Sequence, residues 1–126
     1  MTGREIIKIW VVAAAVFMVM AGGALAQKMV HPLDFKGSDA EKEAVIAYIK
    51  YDVKKRYSAI GMDNPSTLRM MENKELDAFK NLANVADRGL LNAVIDRYCD
   101  IGMCNYSTFL MMYEKEEDAA KKSLKW

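Results

Sequence analysis

Arg56-Tyr57-Ser58-Ala59-Ile60-Gly61-Met62-Asp63-Asn64-Pro65-Ser66-Thr67-Leu68-Arg69-Met70-Met71 returns 41 positions later as Arg97-Tyr98-Cys99-Asp100-Ile101-Gly102-Met103-Cys104-Asn105-Tyr106-Ser107-Thr108-Phe109-Leu110-Met111-Met112. The correspondence continues to Lys80 and Lys121 without a gap, and 15 of the 25 positions in 56–80 and 97–121 are identical. A period of this length marks one supersecondary unit used twice.

The unit reads as a helical hairpin. Ser38 and Glu41 form a capping box, in which each satisfies the other's backbone N–H. Val45, Tyr48, Ile49, Val53, Tyr57 and Ile60 then recur at three- and four-residue steps, one apolar stripe of a helix. Gly61 ends it, since the residue past a helix end often takes positive φ. Asn64-Pro65 restarts the chain with a capping acceptor and a residue suited to the first helical position. A second helix is predicted from 65 to about 83, with Leu68, Met71, Ala78, Phe79 and Leu82 inward. After a break at 84–87 with Asp87 as cap, the copy repeats the plan. Leu90, Leu91, Val94, Ile95 and Tyr98 form its first stripe, Gly102 the stop and Asn105 the cap. Phe109, Met112, Tyr113, Ala119, Ala120 and Leu124 form its second stripe. No segment alternates with period two. The expected fold is therefore all-α: a tandem duplication of a helical hairpin (about 38–83 and 87–124) closing into a compact four-helix bundle.

Arg4 and Lys8 precede an apolar run at 9–20, a Gly22-Gly23 interruption and an Ala24-Leu25-Ala26 site before Gln27. This is the pattern of a cleavable secretory signal at 1–26, a helix that precedes the domain. The competing reading is an uncleaved membrane anchor, as 9–26 is near the minimum length of a span. Gln27 in place of Cys argues against a lipoprotein. Localisation is expected to be the periplasm, with the membrane touched only through this segment if it stays uncleaved. Residues 27–37, lacking a helical period, are an irregular arm, packed across the bundle or mobile. Removing Arg4, Lys8 and Glu5 from 18 basic and 17 acidic residues leaves 16 of each. That balance supplies no basic excess for nucleic acid.

Four groups carry candidate chemistry. Cys99 and Cys104 flank the second turn, where an oxidising compartment favours a disulfide that staples the hairpin. Their C-x4-C spacing departs from that of redox pairs, and a metal-ligand role is the minor alternative. The methionine pairs Met62/Met103, Met70/Met111 and Met71/Met112 raise a soft-metal, Cu(I)-type reading. Against it, one member of each neighbouring pair faces inward, where methionine fills core gaps, and His31 is the only histidine. Met62 and Met103, in the turns, are least explained by packing and are candidates either for the contact beneath a helix end or for a partner-facing knob. Arg56-Tyr57 and Arg97-Tyr98 recur with Glu75 and Glu116, predicting an Arg–Glu ion pair between the helices of each hairpin or, alternatively, a charged groove for an anion or peptide. Asn, Ser and Thr at 64–67 and 105–108 are ordinary helix caps, with anion binding at a helix N-terminus as the alternative. Asn105-Tyr106-Ser107 also fits the N-glycosylation pattern.

Catalysis has little to stand on. One histidine, outside the repeat, offers no base for a nucleophile triad, and a Gly-rich phosphate loop is missing. A carboxylate pair of Glu75 and Glu116, as in glycoside hydrolysis, is the remaining enzymatic option. In general character the chain resembles small exported helical proteins with one disulfide: periplasmic immunity proteins, acid-stress chaperones and accessory factors of secretion or conjugation machines. The expectation is a non-enzymatic factor without cofactor or metal, acting on another envelope protein through Arg56, Tyr57, Met62, Arg97, Tyr98 and Met103. An immunity or inhibitor protein is the first rival, and a Cu(I) carrier is the rival of another class.

Overall fold

A computed structural model describes residues 28–126. The expected signal segment, 1–26, lies outside the described residues. Those described are all-helical, without a strand. A short 3-10 turn, Pro32–Asp34, is followed by α1 (Asp39–Ser58), α2 (Pro65–Leu82), α3 (Arg88–Asp100) and α4 (Tyr106–Ala120). No described helix is long and apolar enough to cross a membrane.

Local chemistry sets the helix ends. At the start of α1, Ser38 Oγ accepts from Glu41 N–H at 3.2 Å, while the Glu41 carboxylate accepts from the Ser38 and Lys36 N–H groups. At α3 the Asp87 carboxylate accepts from Leu90 N–H, and at α4 the Asn105 side chain accepts from Thr108 N–H. Asn64 departs from the expectation. It precedes Pro65 at α2, but its Nδ2 donates to Ser66 Oγ at 2.8 Å and its side chain caps no backbone N–H.

The two turns share one geometry. Gly61 (φ 72°) and Gly102 (φ 80°) occupy the left-handed region. Gly61 N–H donates to Ser58 O and Gly102 N–H to Cys99 O, both at 3.2 Å. Met62 N–H and Met103 N–H reach back to Tyr57 O and Tyr98 O, both at 2.8 Å. This is the Schellman arrangement, which satisfies the last carbonyls of α1 and α3 and lets the chain reverse.

α1 packs on α2, α3 packs on α4, and the two hairpins meet chiefly through α2 and α4. The core combines Val45, Ile49 and Val53 of α1, Phe79 and Leu82 of α2, Leu91 and Val94 of α3, and Tyr106 and Phe109 of α4. Tyr106 is fully buried, in edge-to-face contact with Tyr48 (5.8 Å), Phe79 (4.9 Å) and Phe109 (6.2 Å). Such aromatic pairs add about 0.5–1.5 kcal/mol each beyond their burial.

The stripes end earlier than their periodicity predicts. Ile60 is exposed, because it sits in the turn beyond the last residue of α1. Ala119, Ala120 and Leu124 are likewise exposed. Tyr113 is the last buried residue of α4, so Ala119 and Ala120 close the helix beyond the core, and Leu124 follows its end at Ala120 with no helix on which to carry an inward face.

The arm is packed across the bundle. Tyr106 Oη donates to Val30 O at 2.8 Å and accepts from Val30 N–H at 3.2 Å. Phe35 stacks edge-on against Phe79 at 5.1 Å, and Asp34 pairs with Arg88 at 2.6 Å. The His31 ring is fixed by two bonds. Leu33 N–H donates to Nδ1, so the hydrogen resides on Nε2, which donates to Asn92 Oδ1 at 2.7 Å.

Candidate functional site: two hairpin tips and the carboxylate between them

Each tip presents apolar side chains to solvent at matching positions. Ile60 and Ile101 are 63% and 64% exposed, and Met62 and Met103 50% and 43%. Met70 and Met111, on the outer faces of α2 and α4, are exposed too, whereas Met71 and Met112 pack against the core. Each adjacent pair, Met70-Met71 and Met111-Met112, thus has one outward and one inward member, as the helical period requires.

The covalent closure of the tips differs. Cys99 and Cys104 form a disulfide with Cα atoms 4.2 Å apart, joining the end of α3 to the residue before the α4 cap. At the corresponding positions of the first tip, Ser58 Oγ donates to Asp63 Oδ2 at 3.3 Å. A hydrogen bond and a disulfide therefore bridge the same two places. Met29 Sδ lies 3.8 Å from Cys104 Sγ, a sulfur–sulfur contact between arm and tip.

Arg56 donates to Asp52 at 2.9 Å and to Glu75 at 3.4 Å, and its guanidinium lies 5.6 Å from the Tyr57 ring centre. Arg97 reaches Glu116 at 3.7 Å. Both Arg–Glu pairs bridge α1 to α2 or α3 to α4, but in unlike surroundings: the side chain of Glu75 is 2% exposed and that of Glu116 is 44% exposed. Tyr57 and Tyr98 are half-buried against the core.

The difference has a visible cause. The start of α4 inserts against the first hairpin, where Tyr48 Oη donates to Cys104 O and the Glu75 carboxylate accepts from Ser107 N–H (3.1 Å) and Ser107 Oγ–H. The N-terminus of α4 thus holds an anion, and that anion is the chain's own Glu75. A carboxylate beside free N–H groups of a first helical turn is favoured by hydrogen bonding and by the helix dipole. Residue 66, the counterpart of Ser107, is exposed. Glu75 and Glu116 serve separate ion pairs, with Arg56 and Arg97 respectively.

Burial dominates the neighbouring ionisations. It pushes the Tyr48 phenol up to about 12, with the nearby Asp52 carboxylate adding to the effect. Tyr106 is raised for the same first reason, although its bond to Val30 opposes the rise. Asp52 is raised by burial against the pull of Arg56. Among the described residues no group of three or more His, Cys, Asp or Glu side chains is arranged to hold a metal ion.

Sequence reasoning missed Tyr48, Tyr106 and Ser107 as the seat of the inter-hairpin contact. The available signal was the place where the copies disagree: Tyr106 stands where the first copy has Pro65. Comparison with family models, with curated proteins and with solved structures finds no match for this chain.

Proposed function

We propose that the chain is an exported, non-enzymatic factor of the cell envelope that binds another protein through its hairpin tips. The reading joins an N-terminal signal pattern to a duplicated hairpin whose copies retain the same exposed side chains. The observation that carries it is the matched exposure of Ile60 with Ile101 and of Met62 with Met103. Isolated surface hydrophobics are ordinary. Four at equivalent places, where neither core packing nor the Schellman bonds require a side chain of that size, are better explained by a partner. Methionine suits such a surface because its flexible, polarizable side chain adapts to the face it meets. Arg97, more open than Arg56, adds a cation beside the second tip.

Photo-crosslinking in cells of the source organism tests this. A photoreactive residue at position 62 and one at position 103 are expected to capture the same discrete protein, which a residue at position 54, on the exposed face of α1, does not. The reading fails if nothing is captured at the tips, or if all three positions give the same products. Mass spectrometry of the envelope fraction tests the export component, with a mature N-terminus at Gln27 expected.

A further inference from the structure

A recess of about 400 Å³ opens between α1 and α2. It is lined by the buried Val45 and Phe79, by Phe35, Ile46 and Leu76, and by the exposed Lys42 and Lys80, one from each helix. Ile46 and Leu76 also line a second recess of about 250 Å³, so the two adjoin along the α1–α2 seam as a furrow. Further along it stand Lys50 and Arg69, the latter paired with Glu72 at 3.0 Å. Neither Lys42 nor Lys80 has a carboxylate partner among the described residues. The chain carries almost no net charge, so two unpaired ammonium groups beside an apolar lining are a local feature.

The geometry points to a binding site for a free single-chain anionic amphiphile of the fatty-acid type, its acyl chain laid between Ile46 and Leu76 and its headgroup between Lys42 and Lys80. A concave, apolar space with a few convergent polar groups is the general form of a small-molecule site, and the volume lies in the usual range. Lysine suits such a site, since its methylene stem extends the apolar lining while its ammonium stays in water. Charge favours an acyl anion as the occupant, since the apolar side chains of the first recess are joined by two cations, Lys42 and Lys80, and by no carboxylate. The furrow belongs to one hairpin. At the 41-residue offset, Val45, Ile46, Leu76 and Phe79 correspond to Ala86, Asp87, Glu117 and Ala120, which build no such lining. Protein capture at the tips and this site are independent, so failure of one leaves the other standing.

The test is a titration of the 27–126 chain with dodecanoate below its micellar concentration, followed by amide chemical shifts. Saturable shifts confined to residues of the furrow are expected, with binding of dodecyltrimethylammonium, equally apolar but cationic, at least tenfold weaker. The K42E/K80E double variant alters two surface positions and is expected to keep the helical spectrum while inverting that preference. I46E, exposed in the folded chain, is a second variant that blocks the furrow without touching the core and is expected to abolish the shifts. Equal binding of the two amphiphiles, unsaturable binding, or shifts mapped elsewhere would overturn the proposal. Binding to anionic phospholipid vesicles without response to dodecanoate would also overturn it, assigning the cations to a membrane surface.

Discussion

Glu75→Ala and Glu116→Ala remove the same residue from the same place in the repeat, and they should differ sharply in cost. At position 75 the carboxylate accepts two hydrogen bonds from Ser107 and one from Arg56, and its side chain is 2% exposed. Hydrogen bonds to charged groups are worth about 1.5–3 kcal/mol, and breaking a buried ion pair costs about 3–5 kcal/mol. Arg56 is partly exposed and keeps Asp52 at 2.9 Å, which places the loss near the lower bound, about 3 kcal/mol. At position 116 the carboxylate is 44% exposed and faces an Arg97 that is 64% exposed, so the loss should stay below about 0.5 kcal/mol. Helix propensity changes alike at both sites and cancels in the comparison. Urea denaturation followed by circular dichroism, with the disulfide intact, measures both. In thermal terms, for a domain of this size, Glu75→Ala should lower Tm by about 12–24 °C, with little change for Glu116→Ala. Costs within about 0.5 kcal/mol of each other would refute the claim that the α4 N-terminus holds Glu75.

The twin glycines should behave in the opposite way, as equals: Gly61→Ala and Gly102→Ala meet no atom within 4 Å of the added Cβ, so each should cost only the left-handed backbone penalty, about 1–2 kcal/mol, in the same denaturation assay. Replacing Cys99 by Ser and Cys104 by Asp transplants the first tip's bridge into the second. The exchange should lose roughly 2 kcal/mol of loop-closure stabilisation relative to the oxidised parent. It should remain more stable than a Cys99→Ala/Cys104→Ala control, and equal midpoints for the two variants would show that no hydrogen bond replaces the disulfide. Acid stability should follow the carboxylates at the arm and first helix. Lys36 N–H and then Ser38 hold Glu41 below its ordinary 4.5, and the hydrogen bond from Arg88 holds Asp34 below 3.8. Folded values below the unfolded ones mean that these contributions are present above the unfolded pKa and are lost as pH falls through the folded value. Asp52, raised by burial, has the opposite sign and loses its contribution as pH rises through the carboxylate range. Glu41→Gln should therefore flatten the decline in urea midpoint below pH 4.5, and Asp52→Asn should steepen it.

The residues forming the hairpins were legible because the forces that shape them are local. A serine three residues before a glutamate, a glycine after an apolar stripe and an aspartate before Arg88 each act within a turn or two of themselves. The caps and both Schellman turns accordingly fall where composition and spacing put them, with Asn64 the exception, diverted to Ser66. The candidate site was legible in part. That Met62 and Met103 sit in turns follows from the glycines, but their exposure depends on how far neighbouring helices extend, as Ile60 also shows.

What the sequence determined by itself was the all-helical order, the places where the chain reverses and the bridge between Cys99 and Cys104. What only tertiary structure decided was which of two identical residues would be enclosed. Glu75 and Glu116 hold the same place in the repeat and share a lysine before them and Asp-Ala two and three residues after, yet one is sealed against Ser107 and the other lies open. The reason is that burial depends on an element distant in sequence. Tyr106, in the place held by a proline in the first copy, drives the start of α4 against Tyr48 and Phe79, and a local pattern carries no record of which surface another helix will cover.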